Sequence, residues 1–334
     1  MEKESLLKTV GLIVVALIVA MALCKFSSST FAAEPVVLKG VTGLPRNAVQ
    51  NNDIPTLIDM VSKASDGRLK IEWVGGAEVI PTFDQVEALK KGVIDMLLCH
   101  PRGYFKSHMA VAEAGGLSQL TAWEERKSGA FELWAKLFRE KTNGEYLGRF
   151  HSKVKFCVYT TFKIDKLEDF KGKKIRVMPL YIPLLQALGA IPVTIPPPDV
   201  YTALERGVVN GYMWPEIGIV SVGWHEVTKF VMDPGVFQIE DVTLVNLDKF
   251  NKLPKDPQTI LKDSMAKLEF IATENLLKAA KAEWDIMEKA GMRKSELPPA
   301  DAKRFLDMAY EITWNKIIKD DPIYGPQLRK LTSK

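Results

Sequence analysis

Arg176 sits in the run Lys173-Lys174-Ile175-Arg176-Val177, whose alternation predicts a half-buried strand. Ile175 and Val177 fall on one face, and Lys174, Arg176 and Met178 on the other. A guanidinium there is a planar fork of donors that can grip a carboxylate through two parallel hydrogen bonds, a geometry that lysine lacks. The residue types alone leave open a blander role, the end of a solvated basic run begun by Lys171. His100, Arg102 and Tyr104 form a second polar group in the segment HPRGYF. They follow the apolar run MLLC, at the carboxyl end of a strand, where open α/β sheets collect ligands. His100 and Arg102 also fit a loop histidine and a solvated arginine, while Tyr104 can cap a cleft with its ring and donate from its hydroxyl.

Other chemistry is not signalled. The chain lacks a GxSxG elbow, an HExxH helix, a GxxxxGK[ST] phosphate loop and a GxGxxG turn. Its histidines, at 100, 108, 151 and 225, are scattered. His225 and Glu226 are adjacent, so on a helix they would point about 100° apart. Cys99 and Cys157 lie in apolar, strand-like runs, where burial is the ordinary reading and a disulfide stays open. With neither a CxxC pair nor a ligand-spaced His/Cys cluster, a structural zinc site is not expected. The expectation is therefore no enzyme, no cofactor and no metal.

The 334 residues, 47% hydrophobic, are enough for one large or two medium domains. The 45 basic and 41 acidic side chains are interspersed, so the net charge of +4 carries no nucleic-acid footprint. Lys3 and Lys8 precede an apolar stretch from Thr9 to Cys24 and a Ser/Thr cluster that ends near Ala32. This reads as a secretory signal peptide over residues 1–32, the stretch being short of the roughly 20 residues of a spanning helix. An uncleaved anchor or a lipid attached at Cys24 is the alternative. Cleavage removes three lysines and two glutamates, so +4 minus 1 leaves +3.

Periodicity then orders the remaining chain. Strands are expected at 36–42, 68–74 and 93–99, with helices at 51–65 and 82–91 between them. A helix over 121–141, strands within 145–160, the block 172–215 and a strand over 237–247 follow. A very long helix from Pro257 to about Ala290 and another from Pro298 to Ile318 complete the pattern. Alternating strands and helices favour a largely parallel sheet covered by helices. The expected organisation is an α/β lobe over 33–160, a second over 161–247 whose last strand returns to the first, and helices over 248–334 bracing both.

The block DFKGKKIRVMPLYIPLLQALGAIPVTIPPPDVYTALERGVVNGYMWP, with EALKKGVIDM before it, resembles the solute-binding proteins of tripartite ATP-independent periplasmic (TRAP) transporters, the DctP-like family. The shared motifs are D-x-K-G-x-K-x-R-V, a helix ending LGA-x-P, a proline-led turn and VYTAL-x-x-G-V-V-x-G. The resemblance implies a two-lobed periplasmic binding protein with mixed β-sheets and a long bridging helix. It also implies a cleft that closes on a small organic acid, delivery to TRAP membrane permease subunits, and Arg176 as the carboxylate contact. Contact with the membrane would be through the permease only. It further places a polar contact close to His100, and Arg46 where ligand-facing loop residues stand.

The departures from the family concern the cargo. Trp214 stands where many members have asparagine, Met213 where metal-assisted keto-acid binders have glutamate, and Phe156, twenty residues before Arg176, where relatives offer a second arginine or a glutamine. One arginine among apolar and aromatic neighbours favours a monocarboxylate with an apolar or aromatic body. Trp214 and Phe156 could instead be core residues. An exported enzyme acting on an organic acid and a ligand-sensing partner of a membrane receptor are the alternative functions.

Overall fold

The structure, a computed structural model, describes residues 34–334. The signal-peptide reading, with its cleavage point and the lipid alternative at Cys24, lies outside the described residues. The first hundred residues follow the expected alternation: β1 (Val36–Thr42), α1 (Ile54–Ala64), β2 (Leu69–Gly75), α2 (Thr82–Lys90) and β3 (Met96–Pro101). Strand β3 starts later than the apolar run suggests, because the Asp95 carboxylate accepts the Lys39 amide at 2.9 Å and holds the preceding residues in a turn.

The helix expected over 121–141 is two helices, α3 (Ala122–Ser128) and α4 (Ala130–Thr142). Gly129 separates them at φ 88°, a left-handed conformation that glycine adopts without steric cost. Thr121 and Glu124 cap the start of α3 reciprocally. Next come β4 (Gly144–Arg149), β5 (Lys155–Thr160), β6 (Lys174–Arg176), α5 (Ile182–Ala187), β7 (Ile191–Val193), α6 (Val200–Glu205) and β8 (Gly211–Pro215). Three strands follow, β9 (Phe230–Asp233), β10 (Val236–Gln238) and β11 (Asp241–Asn246). The chain ends with α7 (Leu247–Lys252), α8 (Lys255–Lys289), β12 (Arg293–Glu296), α9 (Pro299–Asp320) and α10 (Tyr324–Thr332).

The strands form two mixed sheets, one in each lobe. The first has the order β2-β1-β3-β11-β4, and the second β12-β9-β5-β8-β6-β7 with β10 paired on β5. Pairing is parallel within β1–β3, β6–β7, β6–β8 and β9–β12. It is antiparallel wherever β5 or β11 takes part. Those two strands follow crossings between sheets, one after β4 and one after β10, and a third crossing leads from β11 to β12. Lys155–Thr160, grouped by the sequence reading with the first lobe, thus hydrogen-bonds into the second sheet. Strand β12 escaped the sequence reading because Arg-Lys-Ser-Glu has no apolar alternation. Its pairing with β9 is what defines it.

Helix α8, 35 residues and so about 52 Å long, spans both halves. Leu261, Met265, Leu268 and Ala272 pack with Leu98, Cys99 and Phe150 of the first lobe. Met287 packs with Tyr159, Tyr212 and Trp224 of the second. Between them, the Glu283 carboxylate accepts the Gly218 and Val220 amides at 2.8 and 2.6 Å. Phe305, Trp314 and Ile317 of α9 enter a core shared with Leu97 and Val242 on one side and Val158 and Ile175 on the other. Among the described residues no helix is long and apolar enough to cross a membrane.

Leu268 has no exposed surface, so Leu268→Ala should lower the unfolding free energy by about 3 kcal/mol through lost burial and the cavity left behind. Denaturant titration checks this. A loss under about 1 kcal/mol would mean that α8 is not docked there as described.

Candidate functional site

Strand β6 realises the alternation of its sequence. Ile175 and Val177 enter the core on one face, while Arg176 is turned to the other and remains only 5% exposed. Its Nε donates to the Ile195 carbonyl at 2.9 Å, and its guanidinium carbon lies 5.5 Å from the centre of the Trp214 ring. One terminal nitrogen, Nη1, is buried without a hydrogen-bond partner. Among the described residues no carboxylate comes within 4.0 Å of this guanidinium. Burial lowers its pKa, with only Tyr104 opposing. An arginine stays protonated despite such a shift, so the site holds an uncompensated buried positive charge.

Register explains which aromatic residues share this face. Arg176 pairs with Tyr212 across β6–β8, and Trp214, two residues on, pairs with Cys157 across β8–β5. Trp214 meets Trp224 edge-on at 4.8 Å, and its indole Nε1 is also buried without a partner. Phe156 pairs with Pro215, one residue out of phase with Trp214, so strand alternation sends it to the opposite face. There it packs on Tyr181, ring centres 5.4 Å apart, and Tyr181 stacks on Phe237. The structure therefore brings Trp214 to Arg176 and turns Phe156 away from it.

The first lobe contributes Tyr104, in the short helical turn after β3. Its ring meets Phe83 edge-on at 5.0 Å and His100 at 6.0 Å. Burial and Asp241 raise its hydroxyl pKa, and the nearby charge of Arg176 opposes them. This electrostatic coupling joins a residue following β3 to one ending β6. His100 itself is fully buried within the first sheet, Nδ1 lying 3.1 Å from the Pro101 carbonyl and Nε2 lacking a partner. Arg46 is placed elsewhere: it is exposed, stacked over the Trp73 ring at 4.3 Å and donating to the Trp73 carbonyl.

Arg102, open on sequence grounds to a solvated role, is fully enclosed. It lies over the Trp134 ring at 4.0 Å, donates to the Tyr146 hydroxyl at 3.2 Å and has Nε 3.2 Å from Glu240 Oε2. Arg149 lies 4.0 Å from the same oxygen and 3.3 Å from Glu125. Gly115 makes room for the Glu240 carboxylate, since a β-carbon there would lie 1.8 Å from an oxygen. Sequence reading missed this network because its acids and arginines come from separate segments. Cys99 and Cys157 are both free and buried, one in each sheet.

A hollow of about 260 Å³ also opens beside α8, lined by Cys157, Glu216, Lys281, Trp284 and Lys294 among others. Lys281 is paired with Asp285, and Lys294 lies over the Trp284 ring. Neither resembles the buried, unpaired cation at Arg176, with which the hollow shares no residue.

Burial lowers the His100 pKa from 6.5 to about 4. The unfolded chain thus takes up a proton near pH 6.5 that the folded chain refuses until about pH 4. Its contribution to stability is complete above pH 6.5 and is lost as the pH falls toward 4. Between pH 7 and 4.5 the natural chain should lose roughly 2–3 kcal/mol more stability than His100→Phe. Equal losses in denaturant melts at both pH values would mean that His100 titrates normally.

Comparison with known proteins bears on the whole arrangement. Residues 150–320 match the family model for bacterial extracellular solute-binding protein, family 7. A solute-binding protein of Albidiferax ferrireducens is 26% identical over 266 residues, covering 76% of this chain and 77% of that protein. The C4-dicarboxylate-binding periplasmic protein of Rhodobacter capsulatus is 25% identical over 263 residues, covering 75% and 77%. Among solved structures, a TRAP periplasmic solute-binding protein of Ochrobactrum anthropi, with a C-terminus bound in its ligand-binding pocket, superposes with a TM-score of 0.78. It is 21% identical, with 89% of this chain and 95% of that one covered.

Proposed function

Because the chain belongs to family 7 of the bacterial extracellular solute-binding proteins, it is a receptor that binds a solute and not an enzyme. We propose that its ligand is a small organic monocarboxylate with an apolar or aromatic body, gripped by Arg176 between the two lobes and passed to a TRAP membrane permease. The observation that carries this reading is the buried guanidinium of Arg176, with a partnerless Nη1 and no carboxylate within reach among the described residues. A ligand carboxylate supplies the missing anion and the missing acceptor together.

The neighbours favour the rest of the ligand. Trp214 offers an aromatic wall on the Arg176 face. Tyr104 supplies a ring and a hydroxyl from the first lobe. A second cation for a dicarboxylate is not at hand, since Phe156 replaces one option and Arg102 is already committed to Glu240. The Rhodobacter capsulatus relative, named for C4-dicarboxylates, defines the competing ligand class.

Closure follows from the same charges. With the lobes apart, Arg176 and Tyr104 face water. A ligand that touches both raises the closed population by its preference for that state. We draw the lobe boundary at the crossing between β4 and β5, and we assign the chain to the periplasm with residues 1–32 as its export signal.

Arg176→Ala should leave the fold intact and weaken binding of the preferred ligand by a factor of at least about 100, the cost of removing one partner of a buried charge pair. Arg176→Lys should lose much of the affinity while keeping the charge. Calorimetry with acetate, benzoate, phenylacetate and succinate checks both the residue and the ligand class. Undiminished binding by Arg176→Ala would remove Arg176 from the site, and succinate as the tightest ligand would overturn the monocarboxylate reading.

A further inference from the structure

We propose that Cys99, His151 and Asp241 form a zinc-binding site that ties two of the three inter-sheet crossings, β4 to β5 and β10 to β11, to the first sheet. The three side chains are 0%, 1% and 3% exposed, and one ligand atom from each lies within 4.8 Å of the others. His151 Nδ1 is 2.9 Å from Asp241 Oδ2. Cys99 Sγ donates to the Gln50 carbonyl at 3.2 Å, which puts a fourth, oxygen donor beside the group. Zinc bonds of 2.0–2.3 Å set tetrahedral ligand atoms about 3.5 Å apart, so side-chain rotation of roughly 1 Å closes the set.

The donor types and charges select the ion. Sulfur with imidazole suits zinc and disfavours calcium and magnesium, which prefer all-oxygen shells. On binding, the thiol releases its proton to solvent. One thiolate, one carboxylate and neutral imidazole then cancel a 2+ ion, leaving no net charge in a buried place. Cys99 is also held at φ 47°, a conformation that costs a residue with a side chain and that tends to persist where function requires it.

Other uses of these residues fail. A thiol–imidazole–carboxylate hydrolytic triad needs substrate access, and Cys99 is wholly enclosed. Among the described residues a disulfide needs Cys157, which belongs to the other sheet. Position in the fold supports a structural role. His151 lies on the crossing from β4 to β5, Asp241 ends the crossing from β10 to β11, and Cys99 stands in β3 between β1 and β11. The ion would set the geometry of these two crossings without touching Arg176.

The test uses the complete exported chain, stripped with chelator and titrated first with Co²⁺ and then with Zn²⁺. One equivalent of Co²⁺ should produce a near-ultraviolet thiolate-to-cobalt band, and Zn²⁺ should displace it. The band should disappear in Cys99→Ala, weaken at least tenfold in apparent affinity in His151→Gln, and persist in Cys157→Ala. A hundredfold excess of Zn²⁺ over its Kd should raise the Tm by roughly 5 °C in the natural chain and not in Cys99→Ala. Absence of the thiolate band in the natural chain, or its persistence in Cys99→Ala, overturns the proposal. The first of these outcomes decides the matter even if the variants fail to fold.

Discussion

A positive charge buried without an anion is the constraint around which this molecule is arranged. Taking a guanidinium out of water costs several kcal/mol unless paired and hydrogen-bonded groups offset it. Arg176 has a backbone carbonyl and the Trp214 indole ring 5.5 Å away, which compensate only in part. The two cores on either side of the second sheet must therefore supply enough stability to hold it. Proteins accept such local destabilisation where a ligand later relieves it.

The neighbouring arginines make the contrast clear. Arg102 and Arg149 are as deeply buried as Arg176, yet each has a glutamate, and Arg102 also has a tyrosine hydroxyl and an indole face. These pairings link Glu240, on the second crossing between sheets, to the first lobe. With α8 packed along both lobes, they give the two halves a common frame. The same side chain is thus compensated where carboxylates surround it and left uncompensated where they are missing.

Much of the fold was legible because local rules agree with the tertiary outcome. The Asp-x-Lys-Gly turn, the alternation through Arg176 and the helical spacing on α8 each depend on neighbours within a few residues. Errors arose where a distant partner decided. Arg-Lys-Ser-Glu becomes a strand only by pairing with β9. The break at Gly129 is a local exception, one left-handed glycine within an otherwise helical pattern. Arg46 went to Trp73, and Phe156 to Tyr181, through contacts that spacing cannot reveal.

By itself the chain determined which residue types stand at strand ends, where helices start and stop, and that Arg176 faces away from Ile175. Those features come from dihedral preferences and from periods of 2 and 3.6 residues, which short segments contain in full. Only the tertiary structure decided which buried charges are compensated. It also decided that Trp214 and not Phe156 shares the arginine's face, and that Cys99, His151 and Asp241 meet although 52 and 90 positions separate them. The reason is physical: electrostatic balance and ligand geometry depend on distances in space, which strand register and the crossings between sheets set.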